Sequence, residues 1–144
     1  MLYAKVENGS IVQYPYEIDN LRKDNPGTSF PHTSMENANT RSNYGVVEVA
    51  EESHPRDNSE QDGNGVVTKY SDTVIEGAPI KVNGDWKQVW EQTPKTELER
   101  HDQARKFRLS AYGSPETQIE FLTENGLEAW QDKVSEIKSR YPKL

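Results

Sequence analysis

The strongest structural signal in the chain is the run Val82-Asn83-Gly84-Asp85-Trp86-Lys87-Gln88-Val89-Trp90-Glu91-Gln92-Thr93-Pro94, a two-stranded hairpin that leads directly into a charged helix. Asn83-Gly84 suits the two positive φ angles of a type I′ turn, and the residues on either side have strand composition. Side chains alternate along a strand, so Trp86, Gln88 and Trp90 are expected on one face of a sheet. The two tryptophans need cover, either from the core of a thin sheet or from another chain.

Further strand signals surround this hairpin. A second Asn-Gly hairpin is predicted over residues 2–14, with its turn at residues 7–10, and a short helix is predicted over residues 17–24. Residues 27–43 are predicted to be mostly loop, because their Ser, Thr and Asn favour local side-chain hydrogen bonds over regular ladders. Residues 45–49 are another strand candidate. An antiparallel meander is expected from residues 66–70, 73–76, 78–82 and 86–92, with a break or bulge at Gly77-Ala78-Pro79.

Residues 95–144 are predicted to be helical. Thr93-Pro94 is expected to cap a polar helix over residues 95–110, whose few apolar side chains do not form one wide stripe. Ser114-Pro115 is expected to open a second helix that ends at Asn125-Gly126. Helices two and three are predicted to form a hairpin. The third has the clearest pattern, since apolar residues recur at three- and four-residue steps at Leu127, Trp130, Val134, Ile137 and Tyr141.

These patterns predict an α+β chain. A small antiparallel β-meander domain is expected over residues 1–94, with an N-terminal hairpin, a short helix and an acidic loop at about residues 50–65. A polar helix and a C-terminal helical hairpin are expected to follow over residues 95–144. The hydrophobic share is 32%, and adding the nine Gly still leaves the chain short of the about 45–50% found in ordinary globular chains on a count that includes Gly. A large self-sufficient core is therefore not expected.

The charge of the chain excludes some classes of partner. The formal net charge is −7, and residues 1–94 hold 8 Lys and Arg against 15 Asp and Glu, whereas residues 95–144 hold 9 of each. Nucleic acids and anionic membranes need a basic patch, so neither is expected as a main partner. No signal peptide or apolar run approaching about 20 residues is present, so we expect a chain that is made inside a cell and is not inserted in a membrane.

The sequence offers no visible catalytic or metal-binding motif. The chain has no Cys, and His32, His54 and His101 are too far apart in sequence to form a local metal motif. A Gly-x-Ser-x-Gly elbow and a phosphate-binding Gly-x-x-x-x-Gly-Lys loop are both absent. We therefore expect a protein that is not an enzyme and that uses no cofactor.

Three stretches carry a resemblance to a known group of proteins. They are Tyr3-Ala4-Lys5-Val6-Glu7-Asn8-Gly9 with residues 21–31; Glu76-Gly77-Ala78-Pro79 through Trp86 and Trp90 to Thr93-Pro94; and residues 111–122 through Trp130 to residues 134–144. In their order, these stretches resemble small proteins encoded in the tail modules of tailed bacteriophages: the tail-fibre, tail-fibre-assembly and tail-tip accessory group. The resemblance spans most of the chain and leaves out mainly residues 32–65.

The resemblance implies a non-enzymatic structural role in the distal tail of the virion, for a chain made in the host bacterial cytoplasm. The implied partner is a tail fibre or baseplate protein of the same phage, with the chain acting as a homo-oligomer or as part of a larger assembly. One alternative is a tail-fibre assembly chaperone that is absent from the mature particle. Another is a small hydrolase or a host-directed inhibitor, for which residues 48–62 would supply an acidic face. The candidate packing or interface anchors are Trp86, Trp90, Phe107, Trp130 and Tyr141.

Overall fold

The computed structural model describes all of residues 1–144 and contains both helices and sheets, which confirms the predicted α+β class. The chain divides into two compact units. Unit 1 is Met1–Pro55 with Val74–Glu91, and unit 2 is Arg56–Thr73 with Gln92–Leu144. Residues 56–73, expected in a domain spanning residues 1–94, belong in the structure to the same unit as the C-terminal helices. Each unit therefore combines strand and helix.

Unit 1 is built on a five-stranded sheet with the strand order β2-β1-β3-β7-β6. The strands are β1 (Leu2–Glu7), β2 (Ser10–Gln13), β3 (Val46–Ala50), β6 (Thr73–Val82) and β7 (Asp85–Thr93), the last two continuing by one or two residues into unit 2. Both Asn-Gly turns are confirmed, since φ is positive at Asn8 and Gly9 (53° and 79°) and at Asn83 and Gly84 (51° and 87°). These angles are those that a two-residue hairpin loop requires.

The expected antiparallel meander is wrong in two respects. Strand β3 pairs in parallel with β7, through Val49 opposite Trp86 and Ala50 opposite Lys87. Parallel neighbours need a long connection, and residues 51–84 supply it here. The segment predicted at residues 66–70 also lies outside the main sheet. It contributes β5 (Val67–Lys69), which pairs with β4 (Glu60–Gln61) in a separate two-stranded sheet.

Two local expectations for the strands also change. The segment Thr73–Val82 is one continuous strand, where a break or bulge at Gly77-Ala78-Pro79 was expected. The acidic loop contains β4, which is joined to β5 by a turn that the Asp62 side chain stabilises. Its Oδ1 accepts hydrogen bonds from the backbone N–H groups of Asn64 and Val66, at 2.8 and 3.0 Å. A short Asp side chain commonly stabilises a turn in this way.

The helices of unit 1 lie between β2 and β3. The predicted helix is confirmed as α1 (Ile18–Asp24), but the predicted loop over residues 27–43 is wrong, because it contains a 3-10 helix (His32–Glu36) and α2 (Ala38–Tyr44). Asn37 caps α2 by accepting from the N–H groups of residues 39 and 40. Burial of apolar side chains from this segment stabilises it, since Phe30 and Met35 join the core cluster. The other buried members of that cluster are Tyr16, Leu21 and Val46.

Unit 2 contains three helices: α3 (Glu97–Tyr112), α4 (Pro115–Asn125) and α5 (Leu127–Arg140). Thr96 caps α3, so the expected cap at Thr93-Pro94 is wrong. Thr93 is the last residue of β7, and Pro94 follows it. Ser114 and Gly126 bound α4 as predicted. Helices α4 and α5 pack on each other, and the small core of the unit consists of Val67, Tyr70 and Ala104 with Tyr141 packed against them. No helix of the chain has the length and apolar character needed to cross a membrane.

Candidate functional site

The two tryptophans of β7 lie on either side of Gln88, which is 9% exposed. Trp86 is half-buried, and the Lys81 Nζ lies 5.9 Å from its ring centroid on the neighbouring strand. Trp90 is also half-buried, and its Nε1–H donates to the backbone carbonyl of Glu52 at 2.9 Å. Both rings are thus partly covered by residues of unit 1 itself.

The segment that follows β3 is held along β7 by these side chains. The N–H of Glu52 donates to the Gln88 Oε1 at 3.0 Å, and the His54 ring packs edge-on against Trp90 with centroids 4.7 Å apart. Trp90 therefore anchors residues 52–54 within its own chain, which is a packing role.

Gln88 also belongs to a polar network that joins three distant parts of the sequence. Its Nε2 donates to the Glu76 Oε1 at 2.8 Å, and the Tyr14 hydroxyl donates to the same oxygen. These hydrogen bonds from Tyr14 and Gln88 lower the pKa of Glu76. Burial, together with the hydrogen bond to Glu76, raises the pKa of Tyr14 to about 12. At neutral pH the network therefore consists of an ionised Glu76 carboxylate and a neutral phenol.

The Glu76 carboxylate accepts hydrogen bonds from uncharged side chains only. No Lys, Arg, His or N-terminal nitrogen lies within 4.0 Å of its oxygens. It lies in a shallow groove of about 260 Å³, which is lined by Ile11, Val12, Gln13, Tyr14, Glu76, Gly77 and Ala78. The groove is formed by β2 with the residue that follows it, and by β6, and these are the two edge strands of the sheet.

Sequence reasoning missed this network. Tyr14 and Glu76 are 62 residues apart, and no local pattern links them. The one available signal was Gln88 itself, a polar residue between two tryptophans on a face expected to be covered. A buried amide needs hydrogen-bond partners, so its position could have prompted a search for them.

The other three predicted anchors lie in unit 2 and form two separate aromatic clusters. Phe107 is 40% exposed, stacks on Tyr70 (centroids 6.1 Å apart) and packs at a tilt against Tyr141 (5.4 Å). Trp130 packs with Tyr112 at 6.1 Å and with Phe121 at 5.8 Å. Phe107 and Tyr141 thus lie together beside the small core of the unit, while Trp130 lies elsewhere, where its ring packs against both α3 and α4.

The three histidines lie in different surroundings. His54 packs on Trp90, His101 lies 3.9 Å from Glu97 one turn earlier on α3, and His32 lines an open groove of about 400 Å³ in unit 1 whose floor includes Met35. No group of three or more His, Cys, Asp or Glu side chains is placed so that it could hold a metal ion.

The two units differ in how many of their apolar side chains they bury. Unit 1 buries seven hydrophobic residues and exposes four large ones, whereas unit 2 buries four and exposes seven. Six of those seven lie on the three helices: Leu98, Phe107, Leu109, Ile119, Leu122 and Leu127. The helices therefore present more large apolar side chains to solvent than the unit encloses.

Comparison of the chain with protein-family models, with curated proteins and with solved structures finds no match.

Proposed function

We propose that this chain is a non-enzymatic component of the distal tail of a tailed bacteriophage. In this proposal it is made in the host cytoplasm and is located in the tail of the virion. There it associates with a tail fibre or baseplate protein of the same phage and mediates the attachment and assembly of fibre proteins. The resemblance of its three sequence stretches to small tail-module proteins suggests a role in the phage tail. The exposed apolar side chains of the structure support an interaction role there.

The observation that carries the proposal is the number of large apolar side chains that unit 2 leaves exposed. Seven large hydrophobic side chains are exposed there against four buried ones. Isolated exposed apolar residues are normal, but obligate interfaces resemble a domain core that has been cut in half. A partner that covers α3, α4 and α5 would supply the missing half of such a core.

The first experiment is quantitative mass spectrometry of purified mature particles, with the copy number of this chain measured against a capsid protein. A fixed, stoichiometric copy number is expected for a tail component. Absence from particles, together with abundance in infected cells, would contradict the virion assignment. That result would favour an assembly chaperone that leaves before the particle is complete.

A second experiment tests whether the helical surface makes the attachment. Ile119→Ser and Leu127→Ser remove exposed side chains, so the isolated protein should keep its helix content, and its free energy of unfolding should change by no more than about 0.5 kcal/mol. Incorporation into particles should fall in both variants. Ile80→Ser, which alters an exposed side chain of unit 1, is the matched control and should be incorporated normally. Equal incorporation of all three variants would contradict attachment through the helices.

A further inference from the structure

Strand β6 forms one edge of the main sheet and is its longest strand, with ten residues. An edge strand carries a row of backbone N–H and C=O groups without a ladder partner, and it can pair with another chain. Proteins commonly protect long edges with Lys, with Pro or with bulges. On β6, Pro79 lacks an N–H and Lys81 follows it, but the preceding residues carry neither residue type. Ile75 in this segment is 59% exposed.

The groove lies at the half of the strand that precedes Pro79, where Glu76 is the one charged side chain. The opposite wall is formed by residues 11–14, which comprise the end of β2 and Tyr14. The two edge strands are not neighbours in the sheet, and the Tyr14–Glu76 hydrogen bond between side chains spans the groove between them. An extended backbone added along β6 would therefore displace the Tyr14 hydroxyl from Glu76.

We propose that residues 74–78 of β6 bind an extended segment of a partner protein as an added strand, with a Lys or Arg of that segment paired to Glu76. Main-chain hydrogen bonds supply affinity in this mode of recognition, and side-chain pockets supply specificity. The proposal rests on the proposed function for the identity of the partner, which would be a fibre or baseplate protein.

The charge of Glu76 indicates which side chain an added strand should carry opposite it. The ionised Glu76 is bound by two neutral donors and has no cation within 4.0 Å. Unit 1 as a whole holds six Lys and Arg against eleven Asp and Glu. A basic residue opposite Glu76 would gain a charge-assisted hydrogen bond, while an acidic one would be repelled. The segment is therefore expected to alternate apolar residues with others, as a strand does, and to carry Lys or Arg near its centre.

The test uses overlapping synthetic peptides that cover the fibre and baseplate proteins of the same phage. Binding of each fluorescent peptide to the full chain is measured by anisotropy. The tightest peptides should carry Lys or Arg between alternating apolar residues. Hydrogen exchange should show that they protect backbone amides within residues 74–78.

Two pairs of variants locate the site. Ile75→Lys should weaken binding at least about tenfold, because an edge lysine opposes strand addition, and Glu76→Gln should weaken it about fivefold through loss of the ion pair. The matched controls are Ile80→Lys and Glu36→Gln, which make the same chemical changes at exposed positions of unit 1 outside residues 74–78 and should leave binding unchanged.

Three results would overturn this inference. They are the absence of any binding peptide, equal effects of the residue 75 and 76 variants and their controls, and a dimer of the chain itself that Ile75→Lys converts to a monomer. These results are separable from failure of the proposed function. Stoichiometric presence in particles with no peptide binding at β6 would reject the added strand alone. Peptide binding by a chain absent from particles would reject the virion assignment alone and keep the added strand.

Discussion

Replacement of Trp90 by Ala tests whether this residue packs within its own chain or is free to serve a partner. The substitution removes the hydrogen bond from Nε1 to the Glu52 carbonyl and the contact with His54. A fully buried Trp replaced by Ala costs about 3–5 kcal/mol, and the half-buried ring of Trp90 should cost about half of that. The lost hydrogen bond adds about 1 kcal/mol. We therefore expect Trp90→Ala to destabilise the isolated protein by about 3 kcal/mol.

The assay is urea unfolding of the isolated protein followed by circular dichroism. Trp90→Phe keeps a ring but loses the hydrogen bond, so it should cost about 1 kcal/mol. Trp86→Ala is the matched control, since Trp86 is equally half-buried on the same strand but does not donate to the segment after β3, and it should cost about 2 kcal/mol. If Trp90→Ala unfolds at the wild-type urea concentration and loses only partner binding, the packing role assigned to Trp90 is wrong.

Three further predictions concern unit 1, the first two measured by urea unfolding and the third by NMR titration. Leu21→Ala should cost about 3 kcal/mol in urea unfolding, because Leu21 is fully buried in the core. Gly45→Ala should cost about 1–3 kcal/mol, because φ is +67° there and a Cβ would lie 2.8 Å from a backbone oxygen of β1. Hydrogen bonds from Tyr16 and Lys5 lower the pKa of Asp24, so its contribution to stability is present above the ordinary carboxyl pKa and is lost as pH falls through the lowered value. NMR titration should show that Tyr16→Phe raises the pKa of Asp24.

The features that could be predicted from sequence are those determined by neighbouring residues. The two Asn-Gly turns need positive φ at adjacent positions, and Asn is one of the few non-glycine residues that adopt it readily. The ends of α4 follow from Ser114 and Gly126 for the same local reason. The α+β class follows from such elements, because a change in hydrophobic period along the chain is enough to assign it.

The features that could not be predicted depend on residues far apart in the chain. The parallel pairing of β3 with β7 depends on where a long crossover returns, which no local pattern encodes. The helices within residues 32–44 form in a polar segment because Phe30 and Met35 are buried, so tertiary packing outweighs local preference there. The Tyr14–Glu76–Gln88 network is of the same kind. Its members come from three separate segments, and only the fold brings them together.

The two proposed contacts differ in chemistry, and this difference predicts a difference in their response to salt. Unit 1 holds six Lys and Arg against eleven Asp and Glu, and its proposed contact includes an ion pair at Glu76. Unit 2 holds eleven against thirteen, and its proposed contact consists of aliphatic side chains.

The Debye length is about 10 Å at 0.1 M salt and about 3 Å at 1 M, so added salt weakens the attraction between exposed charges. Added salt does not weaken the burial of apolar surface in this way. Raising NaCl should therefore weaken peptide binding at β6 severalfold and leave the chain attached to purified particles. Release of the chain from particles at high salt, with β6 binding unchanged, would show that the polar and apolar contacts have been assigned to the wrong units.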